Sequence, residues 1–195
     1  LFDACAQAGV QRVVHISALG IDGSNTRYAQ TKRAAEAHLQ TLATQAKLRP
    51  AILRPSVVYG KGGDSSALFM NLARLPLALF PGPMLTARVQ PVSVHDLAAA
   101  VVALLGPALQ HTGTIDCTGP EALTMGAFIA SLRQQLGHSP AAVLRLPQPL
   151  TTLSARLGDA VPQSPWCSET LAMLGSDNVG NPAVFEQLLG RKGVH

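Results

Sequence analysis

The chain has 195 residues, 47% apolar and only 13% charged, which suits a well-buried α/β protein and excludes a disordered one. Its 15 basic and 11 acidic residues give a net charge of +4, but the basic residues are scattered and aromatics make up 4%, so no nucleic-acid partner is expected. Cys5, Cys117 and Cys167 lie far apart with no CxxC, and the histidines lack ligand spacing. Neither a disulfide framework nor a metal site is expected, and a reducing cytoplasm is the default.

LFDACAQAGV (1–10) reads as the inside of an amphipathic helix, with Gly9 as the residue that ends it. It has no Met and no basic segment, so the chain is expected to begin in the middle of a domain. VVHIS (13–17) is a β-rich run, and GIDGSN (20–25) is a loop by composition. His15 is expected to be a satisfied core residue. Residues 27–46 carry a helical pattern, with Ala35, Leu39 and Leu42 inward and Arg33, Glu36 and Gln40 outward. A second buried strand follows at 51–54, its ladder ended by Pro55, which has no N–H to donate. Strand, helix, strand predicts a right-handed βαβ crossover in a parallel sheet.

Residues 65–75 read as helix and 89–92 as a short strand. Ser93 with Asp96 forms a capping-box pattern opening a helix over 95–105, and Asp96 is expected to cap it. Arg54 is expected to pair with a carboxylate such as Asp96. GTIDCTG (113–119) is a strand, a helix runs from Thr124 to about Leu136, and AVLRLP (142–147) is a strand. Helices broken by prolines complete the chain. The apolar stretch 68–85 is too interrupted to span a membrane and is expected to form a buried cap.

In a parallel sheet, ligands bind beyond the carboxyl ends of the strands. Ser17 ends the first strand, and PSVVYGKGG (55–63) leaves the second. The helix between them starts on the same rim with Tyr28 and Lys32 at i and i+4, neighbours on one face. Ser17, Tyr28, Lys32 and the 55–63 loop are therefore expected to meet. Hydride transfer at a carbonyl needs a proton donor or acceptor on oxygen. A phenol titrates near ~10, and a neighbouring lysine would lower that value. A Ser hydroxyl can hold the substrate oxygen.

Ser17, the run Tyr28-Ala29-Gln30-Thr31-Lys32 and the segment LRPSVVYG (53–60) resemble the short-chain dehydrogenase/reductase superfamily in its extended, epimerase/dehydratase-like branch. VHDLA (94–98) and TGPE (118–121) extend the likeness. HISALGID, LRPSVVYGKGGD, QPVSVHDLA and LGSDNVG are similar to bacterial relatives of the NAD(P)H-binding accessory subunit of respiratory complex I. The resemblance implies the C-terminal part of a Rossmann-type, doubly wound parallel sheet with a small substrate-side cap. Residues 1–117 would be the second half of the NAD(P)-binding domain, with 61–90 partly cap, and 118–195 the substrate or cap region.

The same resemblance implies roles. Tyr28 would be the acid/base, Lys32 would hold the nicotinamide ribose and tune Tyr28, and Ser17 would position the carbonyl. The backbone of Pro55, Ser56, Val57 and Val58 would face the nicotinamide of NAD or NADP. The family's Gly-rich phosphate loop would lie upstream of Leu1, so the isolated chain is expected to aggregate through a bare strand edge and to bind no dinucleotide. The implied partners are a dinucleotide and a small-molecule substrate, with peripheral association at a membrane or respiratory complex. The implied function is an oxidoreductase, epimerase or dehydratase. The alternatives are a non-catalytic NAD(P)H-binding assembly protein and a nucleotide-sensing regulator.

Overall fold

The computed structural model describes residues 1–106, 111–161, 164 and 166–194. The chain opens with α1 (Phe2–Gln7), which Gly9 follows in the left-handed conformation at φ 73°. β1 (Arg12–Ile16), α2 (Arg27–Thr44) and β2 (Arg49–Pro55) come next, and β1 pairs parallel with β2 as expected. α2 starts where it does because Thr26 caps it, its hydroxyl accepting from the Ala29 amide at 3.2 Å. That cap places Tyr28 at the second helical residue.

β3 (Val58–Tyr59), α3 (Asp64–Arg74), β4 (Leu77–Pro81), α4 (Gly82–Thr86), β5 (Arg88–Val89) and β6 (Val92–Ser93) follow. α5 (Val94–Leu105) then leads to β7 (Gly113–Cys117), which pairs parallel with β2 and completes a sheet of order β1-β2-β7. β2 is buried on both faces at Ala51, Ile52 and Leu53, as a central parallel strand must be. β1 is an edge strand of this sheet and is only half-buried.

β8 (Leu123–Thr124), α6 (Met125–Gln135), β9 (Ala142–Leu146), α7 (Gln148–Asp159), α8 (Ser168–Met173) and α9 (Ala183–Leu189) complete the described elements. Two main cores result. One joins β2, β7 and α5 and includes Phe185 of α9, so the C-terminal helix packs back onto the sheet. The other gathers Phe69, Phe80, Met84, Met125 and Phe128. Buried Arg133 donates to the carbonyls of Ala73 and Leu75 at 3.0 and 2.9 Å, satisfying acceptors left open at the end of α3. Burial pushes the Cys117 thiol up to about 12, so it packs as a small hydrophobe.

Several expectations need correction. Pro55 does not end the ladder: its carbonyl accepts from Leu19, and the next amide, Ser56, donates to Cys117. The 89–92 run is two short pairings, β5 antiparallel to β8 and β6 parallel to β3. β4 within the 68–85 stretch is a strand, paired parallel to β9. Ser93 does cap α5, but by accepting from His95. Asp96 caps nothing there: it is buried and accepts from Arg191 at 2.5 Å and from the Val194 amide at 2.8 Å, tying the chain's end to α5. His15 is half-buried with Nε2 unpartnered, so it is not a satisfied core residue. Among the described residues, no helix is long and apolar enough to cross a membrane.

α7 is unusual in orientation. It buries Thr151 and Ala155 while Leu150, Leu153 and Leu157 stand on the opposite, exposed face. Small residues allow its close approach to the body of the protein, and the leucine stripe is left without cover.

Candidate active site

The rim expected from the parallel sheet is present. The Ser17 amide donates to the Leu53 carbonyl at 2.7 Å, continuing the β1–β2 ladder past the strand end. Ser17, Tyr28, Lys32, Pro55, Ser56, Val57 and Val58 all line one cavity of about 810 Å³. The structure therefore brings every predicted site residue together.

The local chemistry differs in detail from expectation. Lys32 does not direct its ammonium at the phenol oxygen. Its Nζ donates to the Ile16 carbonyl at 2.9 Å and sits 5.6 Å from the Tyr28 ring centroid, a cation–π placement. Burial raises the Tyr28 pKa, contrary to the lowering expected from Lys32, so the phenol is held protonated at neutral pH.

Ser17 lines the cavity but is itself buried, and its Oγ has no hydrogen-bond partner of ordinary geometry. Beneath it lies Glu36, expected outward but buried. Burial alone would raise the Glu36 pKa. The bonds from Arg54 outweigh it, with a further contribution from the Ser17 hydroxyl beside it, and hold the carboxyl below its usual range. Arg54 reaches Glu36 through Nε at 2.9 Å and Nη2 at 2.5 Å, and Asp22 through Nη1 at 2.7 Å. The expected Arg54–Asp96 pair does not form. Arg54 instead joins β2, which ends in Pro55, and α2, which carries Tyr28 and Lys32, to the 20–25 loop that follows Ser17.

Ser56 has no free hydroxyl. It donates to the Asn178 carbonyl at 2.8 Å and accepts from the Gln90 amide at 3.1 Å. Asn178 was missed as a site residue. Its Nδ2 donates to the Leu19 carbonyl at 3.2 Å, and its Oδ1 is buried and unpartnered in a residue that lines the cavity. Gly20 stands beside Asn178 at φ 76°, a left-handed conformation that glycine adopts without strain. The one sequence cue was an Asn between glycines in LGSDNVG, a passage that carried likeness and no chemistry.

Residues 1–115 match the model of the NAD dependent epimerase/dehydratase family. The chain belongs to this family. Three solved structures share the fold of this epimerase/dehydratase-family chain. An NADPH-dependent quinone oxidoreductase from Escherichia coli, complexed with NADPH, superposes with a TM-score of 0.70 at 19% identity, covering 99% of this chain and 65% of the other. A UDP-glucuronic acid 4-epimerase from Bacillus cereus, in complex with UDP-glucuronic acid and NAD, gives 0.67 at 17%, covering 100% and 60%. A UDP-glucose 4-epimerase from Thermus thermophilus, complexed with NAD, gives 0.58 at 21%, covering 90% and 67%. The family chain thus spans 60–67% of the length of these three structures. No curated protein matches it in sequence.

Proposed function

We propose that this chain carries the catalytic rim and substrate side of an NAD(P)-dependent oxidoreductase, epimerase or dehydratase acting on a carbonyl or hydroxyl group. The observation that carries the reading is the meeting of Ser17, Tyr28 and Lys32 on one cavity at the carboxyl ends of β1 and β2, in a chain of the epimerase/dehydratase family. The second core, around Phe69, Phe80 and Phe128, is the substrate-side cap.

The residues fit one end of a dinucleotide. Ser17 with its unpartnered hydroxyl, Lys32 and the Pro55–Val58 turn border the cavity, and structural relatives hold NAD or NADPH. When bound, the nicotinamide supplies or accepts hydride. Ser17 orients the substrate oxygen by donating to it. Tyr28, kept protonated by burial, gives its proton to that oxygen as negative charge develops, and takes it back in the reverse direction. Lys32 packs its charge over the Tyr28 ring, stabilises any phenolate that forms and offers donors to the nicotinamide ribose.

Ser17→Ala in the full-length protein is expected to lower kcat on a carbonyl substrate by about 10²-fold, the cost of one oxyanion donor, with dinucleotide affinity within about twofold. Steady-state rates and NADPH titration check this, and an unchanged kcat overturns the role of Ser17.

Peripheral attachment to an anionic membrane surface is a second reading, favoured by the exposed Leu150, Leu153 and Leu157 stripe with Arg156 beside it and a net charge of +4. The protein is expected to float with vesicles containing ~30% phosphatidylglycerol, and the paired change Leu153→Glu with Leu157→Glu to release it. Failure of the unaltered protein to float with these vesicles refutes the attachment.

A further inference from the structure

The cavity is strongly divided in character. At the strand rim stand Ser17, Tyr28, Lys32 and Asn178, and the Ser17 hydroxyl and Asn178 Oδ1 are buried there without a hydrogen-bond partner. The far wall, built by α3, β4, α4 and α6, presents Leu68, Phe69, Leu72, Phe80, Met84 and Met125, with Ser65 of α3 beside them. Ser154, near that wall, already donates to the Thr151 carbonyl and accepts from the Trp166 indole. Among the described residues lining the cavity, Lys32 is the single charged group, and its ammonium is engaged with the Ile16 carbonyl.

A nucleoside diphosphate sugar brings two negative charges and a crown of hydroxyls. Enclosing them here would strip their water with no arginine to pair the phosphates, at a cost of several kcal/mol per unpaired ion. A long apolar molecule with one carbonyl gains instead from every methylene it buries. We infer that the substrate of this site is an uncharged, extended apolar ketone or aldehyde, or the corresponding alcohol, bound with its oxygen at Ser17 and Tyr28 and its chain along the Phe69–Phe80–Met84 wall. The inference rests on the reading of the cavity as the substrate site.

A homologous series tests it. In the full-length protein with NADPH present, the affinities of 2-alkanones of five to nine carbons are measured by calorimetry. The emission of Trp166, the one tryptophan of this chain and part of the cavity wall, reports occupancy. Kd is expected to fall about fourfold per added methylene, ~200-fold across the series, while UDP-glucose binds more weakly than every ketone. Leu79→Arg, on the cavity wall at a half-exposed position that tolerates a charge, is expected to flatten the series for the longer chains. A flat series in the unaltered protein, or tighter binding of UDP-glucose, overturns the inference. Tyr28→Phe separates the two readings. If the series persists and Tyr28→Phe leaves ketone reduction unchanged, the catalytic assignment fails alone. If the series is flat and UDP-glucose is converted in a Tyr28-dependent manner, the substrate class fails alone.

Discussion

Tyr28→Phe in the full-length protein is expected to lower turnover by about 10³-fold while leaving dinucleotide affinity within about twofold. The substitution removes one oxygen and little else. A Phe ring keeps the face over which Lys32 lies, 5.6 Å from the centroid, and Lys32 keeps its bond to the Ile16 carbonyl. Thr26 still caps α2, so the helix start and the ring position persist. What disappears is the proton donor. Because burial holds the Tyr28 phenol protonated, carbonyl reduction is expected to proceed at full rate at neutral pH and to fall as pH rises through the raised phenol value. In Tyr28→Phe that alkaline limb should vanish together with most of the rate. Equal turnover of the two proteins across the pH range would refute the acid/base role, whatever the cofactor affinity.

Arg54→Leu is expected to cost about 3–5 kcal/mol of stability, because it leaves Glu36 as a buried carboxylate without its principal partner. For a chain of this size that corresponds to a fall in Tm on the order of 10 °C. Arg54→Leu combined with Glu36→Leu should recover much of the loss, since the uncompensated charge then goes as well.

The pH dependence gives an independent check with a sign. In the unaltered protein the Glu36 carboxyl titrates below its unfolded value, so its contribution is fully present above roughly pH 4.5 and is lost as pH falls through the folded value. In Arg54→Leu burial, reinforced by the Asp22 charge and only partly opposed by the Ser17 hydroxyl, is expected to raise the folded value above the unfolded one. The penalty should then be relieved on acidification and grow as pH rises through the folded value. Urea melts between pH 3 and pH 7 measure both slopes, and parallel slopes in the two proteins would exclude this account. The same variants should also lose activity beyond their loss of folded protein, because Arg54 ties β2, which ends in Pro55, and α2, which carries Tyr28 and Lys32, to the loop that follows Ser17.

Much of the site was legible before any coordinates. Valines and isoleucines mark the strands, the helical pattern over 27–46 marks α2, and the rule that parallel strands present ligands at their carboxyl ends puts Ser17, Tyr28, Lys32 and Pro55 on one rim. These signals are local, or follow from topology that local signals define. The family likeness read from the same stretches agrees with the match over residues 1–115.

The misreadings share a physical cause. Helical periodicity gave Glu36 to solvent because a carboxylate is ordinarily costly to bury. Only the docking of α2 on β2 supplies the Arg54 fork that makes its burial stable. Arg54 could have met any nearby acid by sequence. The packing gave it Glu36 and Asp22, and gave Asp96 to Arg191 at the far end of the chain. The Lys32 charge was expected to act on the phenol oxygen, yet the Ile16 carbonyl at the strand end captured it.

By itself, then, the sequence determined the order of elements, the parallel βαβ unit and the residue types on its rim, because caps, turn formers and apolar periods act over a few residues. The tertiary structure decided which charges pair and how Asn178 reaches the Ser17–Ser56 rim from more than a hundred residues away. It also decided that α7 turns its leucines outward and that the cavity's far wall is apolar. Those properties depend on which surfaces meet and what each must desolvate, and that is set when distant segments pack.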